Sequence, residues 1–147
     1  MPDIKEKINK TFKNNGTYNS SKDEKIFFNI LNSIFDKDDI ICQYYSDNYP
    51  FSCDFYIKSL NLYIELNCSF FHNRHLYNHQ IDKQELLNLL KKCSIDDKPN
   101  RYDNLIDTWA IRDIKKWQIS KDNKLNMLFI YPYFHKDWIY YKTHEDN

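Results

Sequence analysis

The sequence predicts a mixed α/β sandwich, a central sheet flanked by helices, on three observations. An apolar stripe at helical period comes first. Three short strand-like runs then follow one another closely. Two further helical patterns precede a last strand-like run.

The first helix is read from Ser21 onward in "SSKDEKIFFNILNSIFDKDD", and Asp36 to Asp39 end it. Ser21 has N-cap chemistry, and Glu24 stands three residues on, which is the capping-box spacing. Ile26, Phe27, Ile30, Leu31 and Ile34 recur as one helical face. The strand-like runs are "IICQYY" (40–45), "SCDFYIK" (52–58) and "LYIELN" (62–67), with turns at "SDNYPF" and "SLN". Their close spacing predicts an antiparallel meander. Helical patterns follow at "DKQELLNLLKKCS", with Leu86, Leu87, Leu89 and Leu90, and at "RDIKKWQISKDNK", with Ile111, Ile114, Trp117 and Ile119. "DTWAI" (107–111) reads as a short strand before the second of these, and "LNMLFIYPYF" as a last strand broken at Pro132. Residues 135–147 alternate aromatics with charges and are not placed.

A chain of 147 residues is the size of one domain. Residues 1–20 form a polar arm, with Lys5, Lys7, Lys10 and Lys13 against Asp3 and Glu6, and 21–147 form the single domain. The arm reads as a solvated tail, the alternative being a DNA-contacting arm. No run approaches a membrane span, and the N-terminus has no apolar signal-peptide core. The expectation is a soluble, cytoplasmic protein with no membrane partner. Cys42, Cys53, Cys68 and Cys93 are widely spaced without a CxxC pair, which argues against a disulfide framework or a four-cysteine zinc site. Lys+Arg and Asp+Glu are each 21, so net charge is zero. That balance weighs against a nucleic-acid binder without excluding one, since positive charge can gather on one face and a bound metal adds its own.

The chemistry begins at the hairpin. If the second and third runs pair around "KSLN", Asp54 and Glu65 are direct cross-strand neighbours. Like charges in that position are unfavourable, and both lose solvation on a half-buried sheet. A cation between them removes the difficulty, and two carboxylates with carbonyls and water suit Mg²⁺ or Mn²⁺. The bland alternative is a different register with one carboxylate in solvent.

"CDFYIKSLNLYIELN" resembles the core hairpin of the PD-(D/E)XK nuclease superfamily, an Asp followed by Glu-x-Lys. With "SFFHNRH" and the later Trp109-x-x-Arg112-Asp113 segment, it is most similar to very-short-patch repair endonucleases and phage homing endonuclease-like proteins. The resemblance covers about residues 21–131. It implies a restriction-endonuclease-like mixed sheet flanked by helices, and a metal-dependent DNA endonuclease of phage or mobile-element type that would work in host cytoplasm. Asp54 and Glu65 become metal ligands, the Leu66 carbonyl completes the inner shell, and Glu24 is an outer ligand. In the same reading His72 acts as general base or acid, or stabilises the transition state.

The chain departs from the pattern twice. Asn67 stands where the superfamily has its catalytic Lys, and Cys68 where the phage branch usually has Gly. Asn67 and the zero net charge support the alternative, a nucleic-acid-binding or interaction module that keeps the fold without catalysis. Among basic groups, Arg74, His75, Arg112 and Lys115 are candidate nucleic-acid contacts, and Arg101 a candidate phosphate clamp. Arg112 equally suits an ion pair with Asp113 or Asp107. Lys115, Lys116, Lys121 and Lys124 read as a solvated face. His72, His75 and His79 allow a third reading, a histidine-bound zinc protein, though no second pair has recognised spacing. With no room for a second domain, specificity would come from a homodimer, a protein partner or a DNA structure.

Overall fold

A computed structural model describes residues 22–133 and 137–143. Ser21 and the arm lie outside the described residues. Helix α1 (Lys22–Ile34) is followed by strands β1 (Ile40–Ser46), β2 (Tyr49–Ile57) and β3 (Leu62–Leu66). Helix α2 (His79–Leu90) and helix α3 (Arg101–Ile106) come next. A π-helical stretch (Asp107–Arg112) joins α3 to α4 (Asp113–Asp122), and β4 (Met127–Tyr133) and β5 (Asp137–Lys142) close the order.

The five strands form one mixed sheet in the order β1-β2-β3-β4-β5. The first three are the expected antiparallel meander, β4 pairs parallel with β3, and β5 returns antiparallel along β4. The strand β5 occupies part of the tail that had no assignment. The first hairpin turn is tighter than "SDNYPF" suggested, because Tyr49 already pairs with Ser46. Tyr49 is buried with its hydroxyl in use, which draws the start of β2 forward.

One sheet face packs on α1 through Ile40, Cys42, Phe55, Ile57, Ile64 and Leu66. The face that α1 buries differs from the expected one. Phe27, Phe28, Leu31 and Phe35 turn to the sheet, while Ile26, Ile30 and Ile34 are exposed. The helix carries more apolar residues than one face can cover, and the bulkier aromatic stripe wins, with Phe27 packing on Phe55. The other sheet face carries Tyr63, Met127, Phe129 and Tyr131, covered by Trp117 of α4. A third cluster joins Leu89, Leu105, Ile106 and Trp109 between α2 and the α3–π segment.

"DTWAI" is helical, not a strand. Asn100 starts α3 with a full capping box: its side chain accepts from Tyr102 and Asp103 N–H, and the Asp103 carboxylate accepts from Asn100 N–H. The helix therefore begins well before Arg112 and passes through a π turn that buries Trp109. Trp109 Nε1 donates to the His75 carbonyl at 2.9 Å.

Candidate functional site

The β2–β3 ladder pairs Phe55 with Ile64, Tyr56 with Tyr63 and Ile57 with Leu62, the register expected for the hairpin. Asp54 and Glu65 are the next residues outward. Both line one cleft of about 500 Å³ at the end of the sheet. Asp54 is half-buried and accepts from the Leu66 N–H at 2.8 Å through Oδ2. Glu65 is 3% exposed. Its Oε1 accepts from the Tyr49 hydroxyl at 3.1 Å, and Oε2 lies 3.5 Å from Lys116 Nζ.

Burial raises the Glu65 carboxyl to about 8, with negative Asp54 beside it as the second cause, and Lys116 and Tyr49 oppose the rise. Burial raises Asp54 as well, against the Leu66 N–H, Lys116, His72 and a hydrogen bond from Gln43. The Cys68 thiol is pushed up to about 12, first by burial and then by Asp23, Asp54 and Glu24. The cleft thus gathers carboxyl groups whose ionisation burial opposes, and Lys116 is the cation in direct contact with Glu65.

Lys116 is not part of a solvated face. It is 7% exposed, and its stem leads into the cleft from α4. The positions Asp113, Lys116 and Ser120 form a buried polar stripe on that helix, whereas Lys115 next door is exposed. A lysine therefore reaches Glu65 from a helix, while Asn67, the residue just past β3, occupies the position where the Glu-x-Lys pattern has its cation. Asn67 is buried, its backbone N–H donates to the Ile130 carbonyl at 2.8 Å, and its side chain neighbours the Tyr131 hydroxyl.

His72 sits on the short 3₁₀ turn Phe70–His72 that follows β3. Its Nδ1 is 2.8 Å from Asp113 Oδ2. A carboxylate oxygen accepts, so Nδ1 donates and Nε2 is left to take or give a proton. Asp113 is fully buried and also accepts from the Tyr131 hydroxyl at 3.5 Å. Asp113 is thereby engaged by His72 and not by Arg112. Arg112 is exposed and lines the cleft with Thr108 of the same π turn. No local signal announces the His72–Asp113 pair, because its members come from separate elements.

Around this centre, Asp23 and Glu24 line the cleft from α1, and Gln43 and Ser52 from the β1–β2 hairpin. Gln43 has φ 53, and its side-chain Oε1 accepts from Ser52 Oγ at 2.5 Å. A left-handed backbone at a non-glycine residue is costly, and such positions cluster at functional sites. Other candidates lie elsewhere. Arg74 and His75 line a separate cleft with Asp82, Glu85 and Trp117. Lys115 is outside both clefts, and the Arg101 guanidinium lies 4.1 Å from the Phe70 ring centroid. The three histidines of "HNRHLYNH" diverge: His72 meets Asp113, His75 meets Asp82, and His79 meets the Tyr77 hydroxyl. The cysteines are free. No helix among the described residues is long and apolar enough to cross a membrane. No protein-family model, curated protein or solved structure matches this chain.

Proposed function

We propose that the chain is a metal-dependent DNA endonuclease of the PD-(D/E)XK type, resembling very-short-patch repair and phage homing endonuclease-like enzymes. The observation that carries this reading is the meeting of Asp54, Glu65, Lys116 and His72 in one cleft, with buried Asp113 held on His72 Nδ1. A plain sheet gains nothing from two adjoining carboxylates whose ionisation burial opposes, with further acids around them. Those hard oxygen donors fit a divalent cation such as Mg²⁺ or Mn²⁺. Asp54 and Glu65 would hold it, with the Leu66 carbonyl joining them and Glu24 as an outer ligand. When bound, the ion supplies an acidified water and charge stabilisation at phosphate.

The chain's own groups supply the rest. Hydrolysis adds water to phosphorus, breaks the P–O bond to the leaving oxygen and moves one proton from the water to that oxygen. His72, oriented by Asp113, can receive or return that proton. Lys116 sets positive charge where the strand lysine is missing. Asn67 can orient a phosphate oxygen or water but carries no charge. Arg112 on the rim suits a phosphate, while Arg74 and Lys115 would contact DNA farther out; both ring nitrogens of His75 are already engaged within the chain. Specificity would come from a second copy, a protein partner or a DNA structure.

The test is cleavage of plasmid, mismatched, branched and single-stranded DNA with Mg²⁺, Mn²⁺ or EDTA. Metal-dependent cutting lost in Asp54→Ala and in His72→Ala is the expected result. Binding without cutting on every substrate, unchanged by Asp54→Ala, would instead favour the module without catalysis, the reading that Asn67 supports.

A further inference from the structure

His75 lies outside the Asp54–Glu65 cleft, and its two ring nitrogens pose a hydrogen-bonding problem. Nδ1 is 3.1 Å from the Asn73 carbonyl oxygen, and Nε2 is 2.9 Å from Asp82 Oδ1. Carbonyl and carboxylate oxygens both accept, whereas a neutral imidazole has one N–H to give. With Nδ1 donating to the carbonyl, Nε2 presents a lone pair to a carboxylate. Either a second proton on the ring or a cation held between Nε2 and Asp82 resolves this.

The surroundings favour the cation. Glu85 follows Asp82 by three residues on α2, and ligand atoms of His75, Asp82 and Glu85 all lie within 4.8 Å of one another. Each carboxylate is oriented by an N–H on one oxygen and has the other to offer. Asp82 Oδ2 accepts from Asn78 N–H at 2.8 Å, and Glu85 Oε1 accepts from Asn73 Nδ2 at 3.0 Å. An Nδ1–H bonded to a backbone carbonyl is the usual support of a ligating histidine, fixing its tautomer and ring orientation. Asp82 is buried and Glu85 exposed, so the group is walled on one side and open on the other. It opens onto the second cleft, of about 770 Å³.

We propose that His75 Nε2, Asp82 and Glu85 form a second cation site, separate from the Asp54–Glu65 cleft, for a divalent transition metal of the Zn²⁺ class. One imidazole with two carboxylates favours Zn²⁺ or Mn²⁺ over Mg²⁺. Three protein ligands leave a fourth position for water from the cleft. The ion would tie the loop after His72 to the start of α2.

The test separates the two sites by removing a donor from the first. Chelator-stripped Asp54→Asn protein is titrated with Zn²⁺ by calorimetry, and one equivalent is expected to bind. In that background Glu85→Gln, a change at an exposed position, and His75→Gln should each weaken binding at least about tenfold. Circular dichroism checks that the variants are folded. On Zn²⁺ addition the His75 Nε2 ¹⁵N resonance should move as coordination requires. No bound equivalent in folded Asp54→Asn, affinity unchanged by Glu85→Gln, or a His75 ring that stays protonated at both nitrogens in excess Zn²⁺ would overturn the site. None of these results bears on DNA cleavage.

Discussion

The cation beside Glu65 comes from α4 and not from Glu65's own strand. Lys116 lies 3.5 Å from Glu65 Oε2 and opposes the rise that burial and Asp54 impose on that carboxyl. If the cleft is the proposed active site, Lys116→Ala should lower the cleavage rate by about 10²–10³, the usual cost of one preorganised charged or donor group. Lys115→Ala, one residue away but exposed, should leave the chemical step unchanged. Single-turnover rates on the best substrate check both, and equal losses in the two variants would remove Lys116 from the chemistry. The sequence offered part of this arrangement. Asp54 and Glu65 were legible because a short hairpin fixes its own register. Lys116 was legible only through the phase of its helix, since adjacent helical positions differ by about 100°. A charge-run reading merges Lys115 and Lys116, while the helix separates them. The His72–Asp113 contact had no local signal at all.

At the scale of elements, the α3–π–α4 segment positions three cleft residues at once: Thr108, Arg112 and Lys116. It also delivers Asp113 to His72. Its start signal was present in "PNRYD", where Asn100 and Asp103 have the capping-box spacing. The β-branched and aromatic run around Trp109 pointed instead to a strand. Burial of Trp109 and its bond to the His75 carbonyl stabilise the helical path that local propensity left open. The parallel pairing of β4 with β3 was equally hidden, because nothing near either strand announces a partner so distant in sequence. Asn100 accepts two helix N–H groups and donates to the Lys92 carbonyl at 2.8 Å. Asn100→Ala should therefore cost about 1 kcal/mol of stability, the usual value of a lost N-cap. It should do so with no change in metal affinity at the first cleft. Denaturant unfolding and metal titration check the two halves separately, and a stability unchanged in Asn100→Ala would mean that packing of Trp109 alone fixes where the helix begins.

For the whole molecule, a net charge of zero still leaves two carboxyls, Asp54 and Glu65, whose ionisation burial opposes. Glu65 ionises near pH 8 in the folded chain against an ordinary value of 4.5, chiefly through burial and then through Asp54. Between those two values the folded chain keeps a proton that the unfolded chain has released. The stabilising contribution is complete below the lower value and is lost as pH rises toward the upper one. One proton limits the slope to about 1.4 kcal/mol per pH unit. Asp54, raised from its ordinary value by burial, adds a loss of the same sign as pH rises. Metal-free protein should therefore lose stability as pH rises across this window, as followed by urea unfolding. Saturating Mg²⁺ should flatten or reverse the trend, because a cation favours the ionised pair, and Asp54→Asn should remove most of the Mg²⁺ effect. Stability that is flat in pH without metal would show that the two carboxyls do not carry this proton. A pH-dependent descent that Mg²⁺ leaves untouched would show instead that the cleft holds its acids for some purpose other than binding a cation.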